Sequence, residues 1–218
     1  MQITDKITIT NEDNMSLMAR YPDKYFDLAI VDPPYGINIV DEFKKTVKSK
    51  SSMFNMSKGI KGDGEWDKCI PDESYFDELK RVSKNQIIWG GNYFIEYLNS
   101  SRCFLIWDKM NGTNPMADAE MAWTSFDKSI RMFKMHHFSA GYETKIHPTQ
   151  KPTKLYEWIL KNYAKLNDKI LDTHLGSGSI AIACHRSKHE LTACELDKEY
   201  YDSAIERILK ETDQGLLF

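Results

Sequence analysis

The tetrapeptide Asp32-Pro33-Pro34-Tyr35 brings together a carboxylate, a proline carbonyl and an aromatic face. Those parts suit a planar base that carries an amine: two acceptors for its NH2 group and a ring to stack on. A second candidate is Asp172-Thr173-His174-Leu175-Gly176-Ser177-Gly178-Ser179. Glycines let a turn approach a ligand closely, and the start of a helix offers unpaired N–H donors. Glu195 closes the next apolar run, where a carboxylate can accept both hydroxyls of a ribose. The turn lacks the third glycine of the pyrophosphate fingerprint, so a single nucleoside fits it better than a dinucleotide.

These groups need strand ends to hold them. Asp27–Val31 is a short apolar run halted by Pro33-Pro34, which cannot continue a central ladder. Gln86–Trp89, Cys103–Trp107 and Glu120–Thr124 read as buried strands. Asp72–Val82 predicts a helix with an aspartate start and Tyr75, Phe76, Leu79 and Val82 on one face; Thr153–Leu166 predicts another behind Pro152. The last third reads as strand Lys169–Asp172, glycine turn, helix Ser179–Arg186, strand Leu191–Glu195 and helix Lys198–Lys210. That alternation is the unit of a doubly wound parallel sheet. The expected fold is α/β in one domain spanning residues 1–218, with a mobile loop at 36–67.

Composition narrows the function. The 218 residues are 41% hydrophobic and 28% charged, as in a folded globule. The longest apolar runs, Cys103–Trp107 and Ile180–Cys184, are far below the roughly 20 residues a membrane helix needs. Met1–Asp13 lacks the apolar core of a secretory signal, and four scattered cysteines make neither a disulfide scaffold nor a zinc site. A cytoplasmic protein without a metal is expected. The net charge of −3 hides two basic stretches. One holds Lys44, Lys45, Lys48, Lys50, Lys58 and Lys61 against Asp41 and Glu42; the other, within 128–154, includes Arg131 and Lys134. Both are candidate contacts for a nucleic-acid backbone.

Together the tetrapeptide, His147-Pro148-Thr149-Gln150-Lys151-Pro152 and the Gly176-x-Gly178 turn resemble the amino-group DNA methyltransferases that use S-adenosylmethionine. Their order, with the tetrapeptide first, resembles the circularly permuted beta class. The resemblance implies a Rossmann-like class I methyltransferase fold, a mostly parallel sheet with one antiparallel strand. It assigns catalysis to Asp32, Pro33, Pro34 and Tyr35. It places Asp13 at the cofactor's adenine, Glu195 at the ribose, and Asp172, Gly176, Ser177 and Gly178 around the methionine portion. Lys151, with Thr149 beside it, would counter the cofactor's carboxylate. DNA is the implied substrate, with a homodimer and a cognate restriction enzyme as further expected partners.

Asp32 in the first position favours the 6-amino group of adenine, because the cytosine enzymes of this subgroup usually have Ser there. Three alternatives stay open: a cytosine-N4 enzyme, an RNA or protein amine methyltransferase, and a non-catalytic nucleic-acid-binding module. The chain departs from the family at Thr173-His174, where Pro-Phe is usual. The candidate recognition segment, residues 125–146, is short for the family.

Overall fold

The computed structural model describes residues 1–38, 67–112, 117–136, 146–147 and 149–213. The six lysines between Lys44 and Lys61, most of the 36–67 loop and part of the 125–146 segment lie outside the described residues.

Those residues form nine strands: β1 (Gln2–Thr4), β2 (Ile7–Asn11), β3 (Phe26–Val31), β4 (Ser83–Trp89), β5 (Phe104–Asp108), β6 (Ala119–Thr124), β7 (Arg131–Lys134), β8 (Lys169–Asp172) and β9 (Glu190–Glu195). The helices are α1 (Asn14–Met18), α2 (Glu73–Val82), α3 (Thr153–Tyr163), α4 (Ser179–Ser187) and α5 (Lys198–Asp213). All strands share one sheet in the order β1-β2-β9-β8-β3-β4-β6-β5-β7. From β2 to β4 the neighbours are parallel. One antiparallel strand was expected; two are present. β6 runs against both β4 and β5, and β1 folds back on β2 through the short Asp5-Lys6 connection, which only an antiparallel pair allows.

Alternation along β3 sends its side chains to opposite faces. Leu28 and Ile30 pack with α3, α4 and α5, whereas Ala29 and Val31 pack with α1 and α2. Helix α2 starts where the Asp72 side chain accepts the Tyr75 N–H at 3.3 Å, and Tyr75, Phe76, Leu79 and Val82 are its buried face. Helix α3 stops at Tyr163 rather than the expected Leu166. Ala164 is already extended, and Asn167 takes a left-handed turn (φ 68°) into β8.

The placement of the site follows from the winding. From β8 the chain passes through α4 to β9 on one side; from β3 it passes through α2 to β4 on the other. β8 and β3 are direct neighbours, pairing Leu28 with Ile170 and Ala29 with Leu171. The reversal between them opens a crevice at their carboxyl ends, where open α/β sheets bind ligands. Asp32 and Asp172 stand at that edge.

Candidate active site

A cleft of about 1110 Å³ occupies this edge, lined by Asp32–Tyr35 on one side and by Thr173–Ser177 and Glu195 on the other. Residues far apart in the chain therefore share one cavity.

The acceptor side begins where β3 ends, since prolines 33 and 34 have no N–H for the ladder. A single oxygen, Asp67 Oδ1, accepts the N–H groups of Tyr35 and Gly36, both at 3.0 Å, and fixes the turn. The Tyr35 hydroxyl donates to Asp32 Oδ1 at 2.6 Å. Its ring lies 4.9 Å from Tyr93, stacked at 14°. Gly90 supports that ring: its φ is +70°, and a Cβ there would lie 2.2 Å from Tyr35 Cε1. Only glycine meets both demands.

Lys151 is the buried cation of the cleft. Its Nζ donates to Asp32 Oδ2 at 2.5 Å and lies 3.0 Å from Glu120 Oε2 and 3.3 Å from the Tyr35 hydroxyl. Lys109 pairs with the other Glu120 oxygen at 2.5 Å. The ammonium thus sits between Asp32 and Glu120, the latter brought beside it by β6. Burial pushes the Asp32 carboxyl up, with Lys151 pulling it down and the nearby Glu120 charge adding to the rise. Burial also works against the ammonium of Lys151, but the two carboxylates outweigh it and raise its pKa. Burial raises Glu120 too, and there Lys151 and Lys109 prevail, so its pKa is lowered. Glu120, Lys109 and Tyr93 were missed from sequence; the only signal was a carboxylate inside the apolar run 119–124.

The donor side is built on β8 and β9. Glu195 accepts the Gly176 N–H on Oε2 at 2.8 Å and the Asp197 N–H on Oε1 at 3.0 Å. Burial raises its carboxyl, against these bonds. Gly176 (φ +53°) leaves open space: a Cβ there would meet nothing nearer than 3.9 Å. Ser177 and Thr149 also line the cleft.

Three expected cofactor residues stand apart from the lining. Gly178 (φ +75°) is required by packing, since a Cβ would lie 2.7 Å from Ile208 Cδ1 on α5. Asp172 is buried under the turn, accepting the His174 N–H at 3.0 Å, and burial pushes its carboxyl up to about 8. Asp13 caps α1, accepting the Ser16 N–H at 3.0 Å.

The two basic candidates within the described residues lie on β7. Lys134 reaches the cleft-side end of the sheet, 3.8 Å from Asp108, and Arg131 sits three residues back along the strand. Both are exposed. Among the described residues no helix is long and apolar enough to cross a membrane, and no group of three or more His, Cys, Asp or Glu could hold a metal ion.

Comparison with known proteins adds the family. The type II methyltransferase M.HpaI of Haemophilus parainfluenzae is 36% identical over 230 residues, covering 85% of this chain and 68% of that protein. M.BglII of Bacillus subtilis is 22% identical over 259 residues, covering 95% and 70%. Among solved structures, the M1.HpyAVI–SAM complex superposes with a TM-score of 0.59 at 20% identity, covering 92% of this chain and 99% of that one. The cytosine-N4-specific PvuII DNA methyltransferase does so with a TM-score of 0.56 at 12% identity, covering 94% and 91%. Residues 88–206 match the model of the N6/N4 methyltransferase family, whose description is DNA methylase. With that match over more than half its length, the chain belongs to the N6/N4 family of DNA amino-methyltransferases.

Proposed function

We propose that the chain transfers a methyl group from S-adenosylmethionine to the 6-amino group of an adenine flipped out of DNA. The observation that carries this reading is the shared cleft: Asp32 at the end of β3 and Glu195 at the end of β9 line one cavity. The donor side fits the methyl donor. Glu195 keeps lone pairs beyond those taken by the two N–H groups and can accept ribose hydroxyls, and the space above Gly176 admits the methionine portion. When bound, the donor supplies an electrophilic methyl on a sulfonium sulfur.

The residues around Asp32 supply the acceptor chemistry. An aromatic amine is a poor nucleophile because its lone pair is delocalised into the ring. Hydrogen bonds from the NH2 to Asp32 and to the Pro33 carbonyl draw the nitrogen toward tetrahedral geometry, and the Asp32 charge offsets the positive charge that develops. Lys151 and Tyr35 each hold one Asp32 oxygen and leave further lone pairs for the amine. Lys151 thereby favours the charged form of a buried carboxylate, against the burial that raises its pKa. A base inside a duplex cannot reach the cleft, so it is flipped out at a cost of a few kcal/mol. Stacking on Tyr35, buttressed by Tyr93, returns about 1–3 kcal/mol. Arg131, Lys134 and the lysines between 44 and 61 contribute phosphate contacts.

The adenine assignment rests on Asp32 opening the tetrapeptide. We further assign the chain to the permuted beta class, as one catalytic domain with a homodimer and a cognate restriction enzyme as partners. Methyl-labelled donor is incubated with duplex DNA, single-stranded DNA and RNA, and the acceptor is digested to nucleosides. Label in N6-methyladenine from DNA is expected. Label in N4-methylcytosine would reassign the base, and preferential labelling of RNA would reassign the substrate.

A further inference from the structure

Four side chains of alternating charge line the acceptor side of the cleft: Asp32, Lys151, Glu120 and Lys109. Sheet register sets the last two. Trp107 of β5 pairs with Glu120 of β6 and Asp108 with Ala119; just beyond, the Lys109 N–H donates to the Asp118 carbonyl at 2.9 Å. Glu120 therefore reaches Lys151 with Oε2 while Lys109 holds Oε1. The ammonium of Lys151 lies 5.1 Å from the centroid of the buried Trp89 ring, where water does little to screen its charge.

The charge balance at the acceptor amine gives Glu120 its part. Methyl transfer as proposed builds positive charge on that nitrogen, and Asp32 is the group that offsets it. An isolated Asp32–Lys151 pair is neutral and offers a forming cation little. Tyr35, Tyr75, Tyr156 and Asp172 also act on Asp32, but they are largely uncharged near pH 7. Burial raises the three phenols well above their usual range and the Asp172 carboxyl to about 8. Among the described residues, Glu120 is the second carboxylate paired with Lys151. Without its charge, two ammoniums, Lys151 and Lys109, would face one carboxylate at the place where a cation must form.

We propose that Glu120 is a positioning residue for the transfer: by neutralising Lys151 it leaves the charge of Asp32 free to act on the acceptor amine. Lys151 favours the ionised form of Asp32, and Glu120 cancels the opposing field of the ammonium. The proposal rests on methyl transfer to an exocyclic amine at Asp32.

A double-variant cycle on single-turnover methyl transfer to DNA tests it, with rates compared above the acid limb of each variant. Glu120→Gln keeps the shape of the side chain. It is expected to slow transfer about tenfold or more while donor affinity by calorimetry stays within about threefold. Its acid limb should move to lower pH, because a like charge is taken from beside Asp32. A variant that merely loosened the fold would not ionise Asp32 more readily. In the Lys151→Met background, Glu120→Gln should slow transfer by less than about threefold, since no ammonium remains there for Glu120 to offset. Equal slowing in both backgrounds, or a limb in Glu120→Gln that stays or rises, would overturn the proposal and leave the Asp32 assignment standing. Absence of methyl transfer by wild type would overturn it together with the proposed reaction. If Glu120→Gln alone does not fold, the comparison of Lys151→Met/Glu120→Gln with Lys151→Met decides, a further loss of about tenfold counting against the proposal.

Discussion

Lys151 is only 1% exposed and lies between two carboxylates, so its charge acts mainly on Asp32 and Glu120 rather than on solvent. Methyl transfer as proposed needs Asp32 ionised, so activity is present above its folded pKa and is lost as pH falls through it. Burial already lifts that pKa. Removing the opposite charge of Lys151 lifts it further. The acid limb of kcat/KM should therefore move to higher pH in Lys151→Met; an unmoved limb would show that the ammonium does not set the Asp32 charge. Tyr35→Ala should impair methylation far more than donor binding, as compared by turnover and calorimetry. Equal loss of both would make the tyrosine structural. Asp32, Tyr35 and Lys151 were legible in sequence because short motifs carry them. Glu120 and Lys109 were not, since Glu120 reaches Lys151 only through the antiparallel insertion of β6 and Lys109, at the end of β5, pairs with Glu120 alone among these groups.

Apolar runs and prolines located most elements, because burial on both faces leaves an unbroken hydrophobic signature in β3, β4, β8 and β9. β1 and β7 escaped for the opposite reason: they are edge strands of three and four residues with mostly exposed or half-buried side chains. Glycine roles were also hidden. Gly178 looked like a ligand contact, yet Ile208 explains it, whereas Gly90 attracted no notice although the Tyr35 ring rests on it. Gly90→Ala should displace that ring. Methyl transfer is expected to fall about 10²-fold, the penalty typical of a displaced catalytic group, with donor affinity kept within about threefold. Unchanged transfer would show that the turn at residues 90–93 does not position Tyr35.

Across the whole molecule, the doubly wound order makes the site by bringing β3 beside β8, and the same burial has a cost in stability. Asp172 titrates at about 8 in the fold against 3.8 for an unperturbed aspartate. Its raised folded pKa means that its stabilising contribution is full below the unfolded value, fades as pH rises and is gone above about 8. Asp172→Asn does not titrate and keeps an acceptor for the His174 N–H. Its melting temperature relative to wild type should therefore climb between about pH 5 and about pH 8.5, by at least about 3 °C. A constant difference would place the carboxyl in contact with water. The joint cleft itself is tested most directly by pairing single-turnover methyl transfer to DNA with calorimetric donor binding in Asp32→Asn. Donor affinity within about threefold of wild type and transfer slowed about 10³-fold or more is the expected outcome. Transfer at the wild-type rate would contradict a role for Asp32 at the acceptor amine.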